Sequence, residues 1–251
     1  LINGSLDDKQ KQGKSLIISF GAQEKIHLRY GISFISEEQA KKNLERDIRT
    51  YDVQTVASQG KKIWNKKLGK ITVEGGTEND KSVFYTSLYR TYERMINISE
   101  DGRYYSAFDC KVHDDNGIPF YTDDWIWDTY RATHPLRVLI EPEIECDMIS
   151  SYIRMAEQTP QGWMPTFPEV TGDSHRMNGN HAIAVIWDAY SKGLTNFSLE
   201  RAYEACQKAI MEKTLLPWQK LPLTELDKFY HKNGFFPALH LGEAETCQEV
   251  H

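Results

Sequence analysis

Residues 181–192, HAIAVIWDAYSK, are nearly all apolar, and Gly193 follows as a C-terminal stop. Such a run predicts a helix that other elements cover on most sides. The flanking sequence supplies candidates. Residues 146–158 carry Met148, Ile149, Tyr152, Ile153 and Ala156 on an amphipathic helix, and Ser198 caps a further helix through Ala202, Ala205, Ala209 and Ile210.

Upstream the period changes. Residues 16–20 (LIISF) and 25–34 (KIHLRYGISF) read as two strands, the second with Ile26, Leu28 and Tyr30 alternating with Lys25, His27 and Arg29. Two strands cannot bury a core alone, so their partners are expected upstream or in the rest of the chain. Ser36 then caps a helix with Ala40, Leu44 and Ile48 on one face, and a second helix is expected over 52–68. Residues 71–76 (ITVEGG) are strand-like. Val83, Leu88, Tyr89, Tyr92 and Met95 mark another helix, a tyrosine-rich loop fills 102–121, and the last 30 residues read as irregular. The class is therefore mainly α with an N-terminal β part, and helices joined by long polar loops suggest a helical barrel or toroid.

Bulk chemistry removes several functions. The 251 residues suffice for one large domain, or one domain plus part of another. A net charge of −6 without a basic face argues against nucleic acid, and the lysines at 61, 62, 66, 67 and 70 are spaced like a solvated face. Cys110, Cys146, Cys206 and Cys247 have no metal-ligand spacing. No stretch approaches the roughly 20 apolar residues of a membrane span, and no signal peptide is visible. There is no GxSxG elbow, phosphate loop or dinucleotide glycine pattern. Asn3, Asn97 and Asn196 head glycosylation triplets. The chain opens at Leu1 without Met and reads as a processed product or a fragment.

Three clusters could carry chemistry. Residues 122–134, TDDWIWDTYRATH, gather Asp123, Asp124, Asp128, Trp125, Trp127, Arg131 and His134. Carboxylates beside indoles suit sugar cleavage, since acids protonate or activate while flat rings hold the apolar side of a pyranose. An ordinary helix start with a buried aromatic face has the same composition. With Thr122 as N-cap, Asp123 and Asp124 enter the first turn, and Asp124, Asp128 and Arg131 share one face. One of the two tryptophans is then core and the other a sugar platform. His134-Pro135 is expected to end or kink the turn. The second cluster, residues 162–182, is a polar loop holding Glu169, Asp173, His175, Arg176, Asn178, Asn180 and His181. It reads as a functional loop or as a solvated one, with His181 at a helix start. Its oxygen donors also suit a hard cation, although the spacing is not that of an EF-hand. The third, residues 233–245, places Glu243 and Glu245 on one side under strand spacing.

At these clusters the chain resembles glycoside hydrolase family 92, the calcium-dependent, inverting exo-α-mannosidases. The matching stretches include IWNKKLGKITVEGGTENDKSVFYTSLYRT, FYTDDWIWDTYRATHPL, GWMPTFPEV, MNGNHAIAVIWDAYSKG and GFFPALHLGEAE, in family order over roughly residues 16–245. The resemblance implies the end of a β-sandwich (1–35), a helical linker (36–76) and the first part of an (α/α)6 barrel (77–251). It implies Ca2+ as cofactor, an α-mannoside glycan as substrate, and a secreted, periplasmic or cell-surface location. The implied mechanism has one acid protonating the leaving oxygen and one carboxylate activating water.

Asp124, Asp128 and Glu169 are the catalytic candidates, with Asp123 a further candidate acid. Trp125, Trp127, Arg131, His134, Asp173, His175, Asn180 and His181 are candidates for binding substrate; calcium ligands are not assigned. Gly172-Asp173 stands where α-1,2-mannosidases of the family carry a His-Glu pair, so the resemblance does not extend to that linkage. The family's base belongs to a Tyr-Asp-Asp segment downstream of the Gly-Phe-Phe-Pro block, and the chain contains none. On that ground the fragment alone is expected to be inactive. The competing readings are another (α/α)6-barrel glycosidase and a non-catalytic carbohydrate-binding protein.

Overall fold

A computed structural model describes residues 22, 25–177, 179–216, 218–219 and 222–235. The strand expected at 16–20, Asn178, Glu243, Glu245 and Cys247 lie outside the described residues. The chain divides into two compact units, Leu1–Thr72 and Val73–His251.

In the first unit, helices α1 (Glu37–Asp47) and α2 (Val53–Leu68) form where the caps require. The Ser36 side chain accepts from the Gln39 N–H and the Asp52 side chain from the Gln54 N–H. Residues 25–34 do not form the expected strand; among the described residues they carry a single isolated bridge position at Leu28, and Ile26, Leu28 and Tyr30 are exposed. Helix α1 holds this segment instead. Asn43 Nδ2 donates to the Ile32 carbonyl at 3.0 Å, and a Cβ on Gly31 would lie 2.4 Å from the Ala40 carbonyl oxygen. Residues 71–76 are likewise irregular rather than a strand, because Gly75 and Gly76 turn the chain with φ of 79° and 66°.

The second unit is mainly helical with a few short strands. Its elements are α3 (Glu78–Arg90), β1 (Ile96–Asn97), β2 (Arg103–Ser106), β3 (Lys111–Asp114), β4 (Tyr121–Thr122), α4 (Ile126–Thr129), α5 (Thr133–Ile140), α6 (Pro142–Glu157), β5 (Pro168–Glu169), β6 (Gly172–Asp173), α7 (His181–Ser191), α8 (Leu199–Glu212) and α9 (Glu225–Asn233). β1 pairs with β4, β2 with β3 and β5 with β6, all antiparallel. The tyrosine-rich segment is thus a hairpin rather than a loop, with Tyr104 and Ser106 buried on one face. The helix expected to reach Met95 ends at Arg90, and the C-terminal region read as irregular contains α9, which a Thr224–Asp227 capping box starts and Gly234 ends.

Helix α6 is the centre of the core and packs against α5, α7 and α8. Its Met148, Ile149, Tyr152, Met155 and Ala156 are buried, and they face a core in which Ala182, Ala189, Ala202, Ala205 and Ala209 let the helices approach closely. Covering of α7 is one-sided, against expectation. Ala182, Val185, Ile186 and Ala189 are buried, yet Trp187 is 65% exposed. Together with Tyr190, Leu199 and Tyr203 it lines an apolar groove of about 470 Å³ between α7 and α8.

Candidate active site

The first cluster does not begin a helix at Thr122. Thr122 lies in β4, Asp123 adopts φ 63°, and α4 starts only at Ile126. The physical reason is tertiary. Thr122 pairs with Ile96, the left-handed backbone of Asp123 fits no α-helical turn, and the Asp124 N–H donates to the Pro168 carbonyl at 2.9 Å. Asp124, Asp128 and Arg131 consequently do not share a helical face. Nor does His134-Pro135 end a helix: α5 begins at Thr133, and Pro135 sits in its first turn, where its missing N–H leaves no bond unmade.

Asp124 and His134 are fully buried. Nε2 of His134 lies 2.9 Å from Asp124 Oδ2, and Nδ1 lies 2.8 Å from Glu145 Oε1. The Tyr152 hydroxyl also donates to Asp124 Oδ2, and Thr129 Oγ1 donates to Oδ1 at 2.9 Å. Burial pushes the Asp124 carboxyl up, but the His134 charge and the three donors outweigh it and hold it below its ordinary value. Burial pulls His134 down, and the Glu145 and Asp124 carboxylates outweigh that and raise it to about 10. Burial first, then the Asp124 charge, drives the Tyr152 hydroxyl well above its usual value.

Around this buried set lies the accessible one. Trp127 is 40% exposed, and Asp128 and Arg131 are exposed beside it. Trp125 is half-buried between the Phe167 ring, 5.8 Å away, and the Arg94 guanidinium, 3.8 Å from its centroid. Arg94 also pairs with Asp123 at 2.6 Å. Of the two tryptophans, Trp127 is therefore the free platform.

The loop of the second cluster closes against the first. Thr122 Oγ1 donates to the Glu169 carbonyl at 3.2 Å, and the His181 ring lies 4.4 Å from that of Tyr130, which accepts from Arg131 Nε at 2.9 Å. His181 is lowered by burial and then by the Arg131 charge. Glu169 is half-buried and pairs with Arg176 at 3.0 Å, and the Arg176 guanidinium lies 5.6 Å from both the Phe167 and Trp218 rings. Asp173 turns inward and accepts from the N–H groups of Thr166 (2.8 Å), Phe167 (2.9 Å) and His175 (3.0 Å). Beneath it the buried Lys213 donates to the Met164 carbonyl and to Thr166 Oγ1. Asp173 and His175, φ 49°, border a cleft of about 190 Å³ with Phe108, Trp163 and Thr171. Asn180 is half-buried, and its Oδ1 has no hydrogen-bond partner among the described residues.

Sequence reasoning missed Glu145, Tyr152, Arg94, Tyr130 and Lys213. Glu145 had a signal: it stands four residues before Ile149 and seven before Tyr152, a carboxylate on the apolar stripe of α6. Among the described residues no group of three or more His, Cys, Asp or Glu is placed to hold a metal ion.

Comparison with known proteins places this geometry. An uncharacterized secreted glycosidase of Arthroderma benhamiae is 27% identical over 73% of this chain and 20% of its own length. The solved family GH92 inverting mannosidase of Bacteroides thetaiotaomicron is 32% identical with a TM-score of 0.72, over 82% of this chain and 27% of that one. A second family GH92 α-mannosidase from the same species is 29% identical with a TM-score of 0.66, over 71% of this chain and 24% of that one. The chain thus spans about a quarter or less of these relatives. The family model of the glycosyl hydrolase family 92 catalytic domain matches residues 39–250, and the chain belongs to that family.

Proposed function

We propose that the full-length protein removes terminal α-linked mannose from glycans by an inverting acid/base mechanism, and that residues 122–134 and 162–182 line the mannose pocket. The observation that carries this reading is the meeting of the two segments within a family 92 chain, with Asp128, Trp127 and Arg131 left accessible on one side and Glu169 on the other. Asp128 and Glu169 are the carboxylates assigned to the reaction, and one of them protonates the leaving oxygen. Trp127 offers an apolar ring face, while Arg131, His175, Asn180 and His181 supply polar contacts.

In this reading residues 1–35 end a β-sandwich, 36–76 are a helical linker and 77–251 open an (α/α)6 barrel. The protein acts outside the cytoplasm, in keeping with the relative described as secreted; among the described residues no helix is long and apolar enough to cross a membrane. Calcium dependence is proposed from the family resemblance, and no step is assigned to the ion here.

The test uses the full-length protein on a linkage panel of α-mannobiosides, reading the anomer released. Mannose with inverted configuration is expected, and retention or no release refutes the proposal. Activity is expected to disappear in excess chelator, and unchanged turnover removes calcium from the mechanism. Asp128→Asn and Glu169→Gln should each lower kcat/KM by about a hundredfold to ten-thousandfold without unfolding the protein.

A further inference from the structure

We propose that His134 is a positioning residue: from its buried place between Asp124 and Glu145 it ties the corner at 123–125 to α6 and thereby sets the stance of the Trp127–Asp128–Arg131 wall. This inference rests on the assignment of that wall to the substrate. Both nitrogens of the His134 ring face carboxylate oxygens, at 2.9 Å and 2.8 Å; we take both carboxylates as ionised, so that each accepts and both nitrogens donate. Only the imidazolium carries two N–H groups.

His134 faces both carboxylates, and the buried Arg137 on the same helix is near enough to act on Tyr152. Tyr152, on α6, is the remaining titratable group facing the ring, 3.2 Å from Nε2.

The grip is transmitted through bonds already described. Asp124 Oδ1 holds Thr129 at the end of α4, so orientation passes from α6 through His134 and Asp124 to the turn that carries Trp127 and Asp128. The Asp124 N–H passes the same constraint to Pro168 and the second loop. At 2% exposure His134 cannot touch a sugar; it acts through Asp124.

The experiment uses full-length protein. ¹⁵N-histidine NMR should show one ring doubly protonated from about pH 6 to pH 8, identified by its loss in His134→Gln. A neutral ring there overturns the proposal. Hydrogen exchange of residues 123–131 in His134→Gln should be at least about tenfold faster while α8 is unchanged; uniform acceleration over both means that the role is merely structural. On an aryl α-mannoside, kcat should fall about a hundredfold with KM within about threefold, and an unchanged kcat refutes positioning. If His134→Gln does not fold, Thr129→Val keeps every buried charge and cuts the link to α4; exchange over 126–131 should still rise severalfold, and no change refutes the route. A wild-type protein that cleaves no mannoside defeats the substrate assignment alone, because the NMR and exchange measurements need no substrate.

Discussion

The two segments that meet at the candidate site are held by opposite arrangements of charge. Beneath residues 122–134 a histidine lies between two carboxylates, one from the segment itself and one from α6. Inside residues 162–176 a single carboxylate, Asp173, gathers three backbone amides of its own loop, with Lys213 fastening the loop's base. The first wall therefore owes its shape to another helix, and the second largely to itself. A wall of the first kind breaks when a distant residue changes; one of the second kind breaks mainly from within.

Glu145→Ala should be the most damaging test of this contrast. It leaves His134 with one carboxylate in a buried site and should cost about 3–5 kcal/mol, read from denaturant unfolding. A loss under about 1 kcal/mol would mean that the first wall does not depend on α6.

The pH response should also be dominated by this wall. His134 is raised from 6.5 in the unfolded chain to about 10 in the fold, so its stabilisation is complete below about pH 6.5 and is lost as the pH rises through about 10. Asp124 is lowered, so its contribution is present above its unfolded value of 3.8 and is lost as the pH falls through its folded one. Unfolding midpoints across pH should therefore sag at both ends, and the alkaline sag should shrink in His134→Gln.

Asp173→Ala comes next. The freed amides of Thr166, Phe167 and His175 should cost about 1–3 kcal/mol and loosen the loop without disturbing residues 122–134. Thr122→Val is the mildest. It cuts the 3.2 Å bond to the Glu169 carbonyl that joins the two walls and should cost about 1 kcal/mol, with both segments exchanging slightly faster.

The same contrast explains what the sequence disclosed. Helices α1, α2, α6, α7 and α8 were legible because their apolar stripes are local, and Ser36 caps α1 where it was expected to, whereas the side chain of Ser198, the expected cap of α8, makes no cap bond. The loop at 162–182 was legible because its anchor, Asp173, lies within it. The helix expected from Thr122 was not, because Thr122 pairs with Ile96 and Asp123 takes a left-handed backbone, and neither is visible from composition. The strand expected at 25–34 is reduced to a bridge position at Leu28 among the described residues, because alternation orders side chains without fixing a ladder. The hairpin at 103–114 was hidden by polar and aromatic residues whose alternation appears only once Tyr104 and Ser106 are seen to be buried.

Two corners of the site, Asp123 at φ 63° and His175 at φ 49°, place side chains where the backbone favours glycine. Each costs on the order of 1–2 kcal/mol of strain, which glycine would relieve. Glycine would also remove the carboxylate that meets Arg94 and the imidazole that borders the cleft. Asp123→Gly and His175→Gly would therefore trade backbone strain against the Arg94 pair and the edge of the cleft.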